Sequence, residues 1–342
     1  MISLVVVNFR SAALAAEAIR TARLASSQPL QVVVVDNSCD ANEANALREH
    51  CETLLVSQTN RGYAGAINDA RRVCTGEVMI VSNPDVTFAP QSIDRLSDAL
   101  RNAAAAGPAL FWDDAHEWML PPGDLDTGWQ RIDAVLASRS RAWFEQRDRR
   151  RFLRRVAFWL LTETTQTTML SGAVLALRLD AFDAIGGFDE RFPLYFEETD
   201  YLRRLSEARK RIVYVPRARC RHLYNQSAAQ VASEAAARYA QSESRYLEKW
   251  NGPFVARALT RIEKPMQVET HPLLDGALHL DREDVVVEAS PLPTFTTAAG
   301  HIPRQRSISI PPEVRQSLRP PFYLRAVVRT TGEVVATYTI AP

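Results

Sequence analysis

The sequence predicts an α/β protein: a Rossmann-like central sheet of mostly parallel strands flanked by helices, followed by a small β-rich module. Two observations carry this reading. Short β-branched runs alternate with amphipathic stretches in the N-terminal part, the pattern of parallel strands joined by right-handed helical crossovers. From Pro265 onward, ten of the nineteen prolines stand among runs that alternate apolar and polar residues, which points to short strands instead. At 342 residues the chain exceeds one ordinary core, so a division is expected: 1–264 as the large domain, with an insertion at about 112–168, and 265–342 as the module.

Taken in order, Leu4 to Val7 reads as a buried strand and Ser11 as the N-cap of a helix reaching about Leu24. Val32 to Val35 is the next strand, ending at Asp36. Leu54 to Val56 and Val78 to Val81 follow, with a helix from about Gly65 to Thr75 between them. Ile93, Leu96 and Leu100 share a helix face, with Pro90 in the first turn. Five of the six tryptophans, and an arginine-rich stretch from Arg139 to Arg155, fall in the insertion. The βα rhythm resumes with a strand at Met169 to Leu177 and a short helix stopped by Gly186-Gly187. A helix from Glu197 to Ala208, a strand at Ile212 to Val215 and a helix from about Ala228 to Trp250 come next. In the module, Ser307 to Ile310, Tyr323 to Arg329 and Val334 to Ile340 read as strands, the last two joined by a turn at Thr331-Gly332.

Forty-one basic and forty acidic residues leave a formal charge of +1, so the chain carries no global electrostatic footprint for nucleic acid. Cys39, Cys51, Cys74 and Cys220 form neither a CxxC pair nor a dense framework, which suits reduced thiols in a cytoplasmic enzyme. No apolar run approaches the roughly 20 residues that span a bilayer, and Ile2 to Val7 is too short for a signal peptide.

Ligands of open α/β sheets sit beyond the carboxyl ends of the strands, and three of those ends are unusually polar: Asn8-Phe9-Arg10-Ser11, Asp36-Asn37-Ser38 and Asn83-Pro84-Asp85. Asp36 can accept hydrogen bonds from a ribose or a base edge, and Asn37 can donate and accept. The same three residues equally make a turn that caps the next helix. The segment from Asn60 through Arg61, Gly62, Tyr63 and Gly65 to Asn68 allows close backbone approach with positive charge near a phosphate, or is an ordinary loop. It is not a Walker loop, and no GxGxxG follows the first strand. Asp85 offers oxygen to a hard cation or merely ends a turn. Glu197, Glu198 and Asp200 crowd one predicted first helical turn, where each acid gains about 0.3 to 1 kcal/mol from the dipole. The same field keeps a carboxylate ionised for work as a general base. His222 reads as a metal ligand, a phosphate donor or a strand-end histidine.

The most specific run is Leu170-Ser171-Gly172-Ala173, then Gly186-Gly187-Phe188-Asp189-Glu190-Arg191-Phe192, then Tyr195-Phe196-Glu197-Glu198-Thr199-Asp200. With these pieces in this order, residues 1 to about 250 resemble the inverting nucleotide-sugar glycosyltransferases of family 2, in particular the rhamnosyltransferase-like branch. The resemblance implies a GT-A fold and a dTDP- or UDP-linked sugar donor. It places the nucleoside against Asn8, Asp36, Asn37 and the loop with Asn60, Arg61 and Gly62. It implies Mg²⁺ or Mn²⁺ on the diphosphate, held by Asp85 and assisted by His222, which Ser227 follows. Asn83 takes the first carboxylate position of the family's usual DxD, a departure that removes one acid. The catalytic base falls on Glu198, one methylene longer than an aspartate there. Gly172 is expected to let backbone approach the sugars, and Glu197 and Asp200 to shape the pocket or bind acceptor hydroxyls. The implied reaction is displacement with inversion, moving a sugar such as rhamnose to a hydroxyl of a surface polysaccharide or glycolipid.

Two other classes compete. A non-catalytic sugar-nucleotide or glycan-binding subunit of a polysaccharide assembly complex is suggested by Asn83 and the C-terminal module, and opposed by Glu198, Asp85 and His222. A nucleotidyltransferase would need a glycine-rich loop after the first strand, where Asn8 to Ser11 offers no glycine. Finally, Ser138 to Leu161 reads as one helix with Phe144, Phe152, Val156 and Trp159 on one face and Arg147, Arg150, Arg151, Arg154 and Arg155 around much of the rest. Such a helix either lies on anionic lipid at the inner face of a membrane or packs on the protein with a solvated arginine face.

Overall fold

The computed structural model describes residues 1–192, 194–223, 232–259, 266–273, 277–317 and 321–340. The chain divides into two compact units: Met1–Ala109, Gly123–Leu125 and Thr162–Ala256 form one, and Leu110–Pro122, Asp126–Leu161 and the chain from Arg257 form the other. Most of the aromatic, arginine-rich insertion therefore groups with the tail.

In the first unit the uninterrupted apolar runs become fully buried strands, as expected where helices cover both faces of a parallel sheet. The order along the chain is β1 (Ile2–Asn8), α1 (Ala12–Leu24), β2 (Leu30–Asp36), α2 (Ala41–Leu47), β3 (Thr53–Val56), α3 (Gly62–Arg71), β4 (Val78–Ser82), β5 (Val86–Phe88), α4 (Ser92–Ala99) and β6 (Ala105–Phe111). Across the sheet the order is β3-β2-β1-β4, then the strand Val174–Arg178, then β6. The first four run parallel, and Val174–Arg178 runs antiparallel to both β4 and β6. The mostly parallel α/β sheet is thus the one the sequence predicts. Its register sets Asn8 directly beside Asp36, so two of the polar strand ends meet.

Several local boundaries differ from expectation for physical reasons. Ser11 stands at the N-cap of α1, but its hydroxyl donates to the Phe9 carbonyl, and Glu43 Oε2 accepts from the Ala12 amide at 3.0 Å instead. α3 starts at Gly62, three residues early, because Asn60 Oδ1 accepts from the Gly62 amide at 2.9 Å and Gly62 takes φ +70. Pro90 lies outside α4, which opens at Ser92 behind a left-handed Gln91. The strand expected from Met169 begins at Val174, after the turn through Gly172. Gly186 ends the helix Leu179–Ile185 at φ +83, as a left-handed C-cap should. The strand expected to stop at Val215 continues to His222, pairing antiparallel with β5 so that His222 lies opposite Val86. The helix read from about Ala228 is Ala232–Asn251, its expected start lying outside the described residues.

The second unit is built on antiparallel pairs: Val285–Ser290 with Phe322–Val328, and Phe322–Val328 with Val334–Ile340. Gly332, at φ +71 in the expected turn, has no room for a Cβ, which would lie 2.8 Å from Arg149 Cγ. The helix expected over Ser138 to Leu161 is Arg141–Trp159, and a separate helix not expected there, Gly128–Arg139, precedes it; Ser140 leaves helical geometry between them and its hydroxyl caps the Trp143 amide. Of the two readings of the apolar face of Arg141–Trp159, lipid or protein, the structure shows packing: Phe152, Val156 and Trp159 lie in the core against Val286 and Val327. Arg155 turns inward as well, meeting Glu288 at 2.7 Å. Glu288 is fully buried and also binds Arg325, which forks onto Asp148 at 2.6 Å and 3.0 Å.

This buried network predicts a specific lesion. Glu288→Ala leaves two guanidinium groups without their shared anion and should cost about 3–5 kcal/mol. Five of the six tryptophans lie in this unit, so urea unfolding followed by tryptophan fluorescence reports on it. An unchanged midpoint would show that the network contributes nothing to stability.

Candidate active site

At the carboxyl ends of β1 and β2 the Asn8 amide is fully engaged. Its nitrogen donates to Asp36 Oδ1 at 2.9 Å, Glu43 Oε2 at 2.9 Å and Ser38 Oγ at 3.2 Å, and its oxygen accepts from the Ser11 amide. Asn8 thus positions Asp36 and does not face a ligand itself. Asp36 Oδ1 also accepts from the Ser38 amide at 3.1 Å. Two oxygens are left over: among the described residues, Asp36 Oδ2 and Asn37 Oδ1 are buried and accept no hydrogen bond. A buried acceptor without a donor costs about 1–3 kcal/mol, so these two atoms mark where a ligand's N–H or O–H groups fit. Asn37 Nδ2 donates to the Gly62 carbonyl at 3.0 Å, tying this corner to the start of α3.

The glycine loop is arranged differently from its expected phosphate role. Arg61 pairs with Glu190 at 3.0 Å and Asp69 at 3.6 Å, and its side chain folds over Gly65, where a Cβ would come 3.2 Å from Arg61 Cβ. Asn60 serves as the local turn anchor described above. Asn68 brackets Phe188, accepting from its amide and donating to its carbonyl, so the loop is bound to the Gly187-to-Phe192 segment. These residues build the wall. They do not present a free cation.

Asp85 and His222 come together as a pair. The β5 pairing brings His222 Nε2 to 3.3 Å from Asp85 Oδ1, with both side chains buried. Asn83 stands half-buried at the end of β4, its amide bound to the Ala173 carbonyl at 2.9 Å. Ser227 lies outside the described residues. Among the described residues no three carboxylate, histidine or cysteine groups cluster as metal ligands. An Asp-His pair nevertheless fits Mg²⁺ or Mn²⁺ when diphosphate oxygens and water complete the shell, as these ions usually require.

The acid cluster resolves into distinct parts. Tyr195 and Phe196 both take left-handed backbone, at φ +66 and +67, immediately before the helix Glu197–Glu207. Each such residue costs on the order of 1–3 kcal/mol, and burial of the Phe196 ring with Phe192 and Tyr246 offsets it. Glu198 is half-buried, and burial pushes its carboxyl above the ordinary range. Glu197 is buried and is pushed up further, first by desolvation and then by the neighbouring Glu198 charge. Gly172 faces Glu198: a Cβ there would lie 3.1 Å from Glu198 Cγ, so glycine makes room for the base candidate rather than for sugar.

Asp200 does not line a pocket. Fully buried, it accepts from Arg204 at 2.8 Å and Trp250 Nε1 at 3.0 Å, and pairs with Lys249 at 2.6 Å. Arg204 continues to the carbonyls of Ile185 and Gly187.

Tyr63 was not singled out by its sequence. Its hydroxyl donates to the Gly172 carbonyl at 2.9 Å, and burial followed by the charges of Glu197, Glu198 and Asp85 raises its pKa well above the usual phenol value. It therefore lies within electrostatic reach of Glu197, Glu198 and Asp85. A tyrosine between two glycines carries no distinctive pattern, so only the fold reveals it.

Comparison with known proteins matches residues 1–241 to the model of the glycosyltransferase-like family 2. An N-acetylglucosaminyl-diphospho-decaprenol L-rhamnosyltransferase of Mycobacterium tuberculosis, found in two strains, is 31% identical over 218 residues, 58% of this chain and 68% of that protein. Among solved structures, a mannosyltransferase from Pyrobaculum calidifontis in complex with GDP-Man and Mn²⁺ aligns with a TM-score of 0.47 at 17% identity, over 75% of this chain and 68% of that one. GalNAc-T7 with UDP, GalNAc and Mn²⁺ aligns at 0.44 and 12% identity, over 65% and 43%.

Asp200→Asn keeps the shape but removes the charge facing Arg204 and Lys249. A loss of about 3–5 kcal/mol is expected, read as a lower midpoint in circular-dichroism melting. A midpoint equal to wild type would mean that the network does not hold this helix.

Proposed function

Because the chain belongs to glycosyltransferase family 2, we propose that it moves a sugar from a nucleoside-diphosphate donor to an acceptor hydroxyl, inverting the anomeric carbon with Glu198 as general base. The observation that carries this reading is the packing of Glu198 against Gly172, whose carbonyl the Tyr63 hydroxyl holds at 2.9 Å. The nucleoside belongs at Asp36 and Asn37, whose buried oxygens can accept from the imide of a uracil or thymine or from ribose hydroxyls. The rhamnosyltransferase name of the 31% identical relative favours rhamnose as the sugar, carried on dTDP or UDP in our reading, and a lipid-linked glycan as the acceptor.

Asp85 and His222 would hold Mg²⁺ or Mn²⁺, which when bound neutralises charge on the departing diphosphate. Glu198 accepts the proton of the acceptor hydroxyl. Its raised carboxyl makes it a better acceptor than an exposed glutamate, provided that it is ionised. Glu197 and Glu198 both lie above the ordinary carboxyl range, Glu197 first by burial and then by the Glu198 charge, so the neighbouring carboxyls titrate as a pair. Tyr63 holds the Gly172 carbonyl and with it the surface against which Glu198 packs.

Glu198→Gln should retain donor affinity by calorimetry while lowering turnover by about 10²–10⁴. Wild-type turnover in this variant, with chemistry rate-limiting, would remove Glu198 from the role. Asp85→Asn should abolish the metal-dependent part of donor affinity; equal affinities with metal present would exclude Asp85 as a ligand.

The acid limb of the pH–rate profile should lie above the ordinary carboxylate range, activity falling as pH drops through it, and Glu197→Gln should move that limb to lower pH, because the two neighbouring carboxyls titrate together. Both raised carboxyls have the opposite effect on stability. As pH rises from the ordinary carboxyl value to the raised one, the unfolded chain ionises first and the fold weakens. Glu197→Gln should flatten that fall in a melting series; an unaltered slope would exclude Glu197 as its source. Tyr63→Phe should slow turnover by about 2–10-fold without changing donor affinity.

A further inference from the structure

Two tyrosine rings stand open at the end of the helix that carries Glu198. Tyr195, two residues before the helix Glu197–Glu207, is 36% exposed, and Tyr239 on the helix Ala232–Asn251 is 43% exposed. The rings meet edge to face, with centroids 5.6 Å apart and planes at 63°, and so form a corner with two aromatic faces. This corner is mounted on the core: Tyr239 also packs on Phe196 at 5.4 Å, and buried Phe196 packs on Tyr246 at 5.3 Å and clusters with Phe192. The two consecutive left-handed residues part their rings, Phe196 going into that cluster and Tyr195 staying outside. Strained backbone of this kind gathers at ligand clamps and active sites. Only three steps of chain separate Tyr195 from Glu198, so their Cα atoms lie within about 11 Å of one another. Asp200 binds Lys249 and Trp250 of the helix that carries Tyr239, which fixes both rings relative to Glu198.

We propose that Tyr195 and Tyr239 are the platform on which the acceptor glycan rests, a pyranose ring lying with its C–H face on an exposed phenol face while its hydroxyl is presented to Glu198. This inference rests on the reading of Glu198 as base and adds to it the part that grips the acceptor. The face of an aromatic ring carries the negative part of its quadrupole, which attracts the polarised C–H groups of one sugar face, and the phenol hydroxyl at the edge can hydrogen-bond a sugar hydroxyl or water. Tyrosine supplies such contact with only two side-chain angles to order, a low entropy cost. An ionised Glu198 repels an anion at this place, whereas a neutral pyranose meets no such charge. The open part of the two rings amounts to on the order of 200 Å², far below the roughly 800 Å² per partner of a stable protein interface, so the corner suits a sugar and not a protein face.

Saturation-transfer NMR on the full chain, with dTDP or UDP and Mg²⁺ present, tests the platform without requiring turnover; the probes are the methyl glycosides of glucose, galactose, N-acetylglucosamine and rhamnose. At least one glycoside should receive saturation, strongest at the C–H protons of one ring face. Tyr195→Ala and Tyr239→Leu should each weaken that binding about tenfold, a change of 1.4 kcal/mol, at unchanged nucleotide affinity and melting midpoint. Tyr195→Phe and Tyr239→Phe keep the ring faces and should retain most of it. Tyr195→Ala is the arm to read if Tyr239→Leu loosens Phe196 and does not fold. Glu198→Gln should still bind the glycoside, so a failed base assignment shows in turnover and a failed platform in binding. Saturation reaching none of the glycosides would overturn the proposal. So would equal binding by folded Tyr195→Ala, or octanol displacing the glycoside from the rings, which would make the corner a seat for an apolar tail.

Discussion

Asp200 holds the base helix from inside. Its carboxylate is fully buried and is shared by Arg204, Lys249 and Trp250. Arg204 anchors the helix to the turn at Gly187, while Lys249 and Trp250 anchor it to Ala232–Asn251. Glu198 lies half a turn before Asp200, so the proposed base inherits its position from a carboxylate that performs no chemistry. Left-handed Tyr195 and Phe196 bring the chain into that helix. Such backbone persists only where surrounding contacts over-determine it, and the aromatic packing of Phe196 together with the Asp200 network provides that determination.

The same division between holding and acting runs through the rest of the site. Asn8 holds Asp36, Asn60 holds Gly62, and Asn68 holds the segment at Phe188. Each is polar, near a strand or helix end, and used up by protein partners. The groups proposed to meet a ligand are few by comparison: one oxygen each on Asp36 and Asn37, the Asp85–His222 pair and the two raised glutamates. Preorganisation explains the imbalance, because few groups can be aimed accurately unless many others fix them.

In the second unit a run that reads as plain β-branched sequence has two buried faces. Val285 and Val287 point to one cluster and Val286 to the other, where Glu288 also meets Arg155 and Arg325. The burial of Glu288 explains why so many arginines in one helix need not all be solvated: some complete an internal ion network.

Local periodicity made much of this protein legible before its structure. The strand cores, the Gly186 stop, the hairpin at Gly332 and the family resemblance from Leu170 to Asp200 depend on residues close in sequence, whose 2.0 and 3.6 repeats and positive-φ demands are written in adjacent letters. Long-range contact decided the rest. Asp85 and His222 meet only because strands far apart in sequence pair. Asp200 and Asp85 look alike as acids, yet one is surrounded by protein donors and the other stands beside a histidine. Tyr63 gains its place from Gly172, and packing buries Phe152 in the core while leaving Trp129 exposed. A residue's type sets which interactions it can make; only the packed fold decides which partner reaches it first.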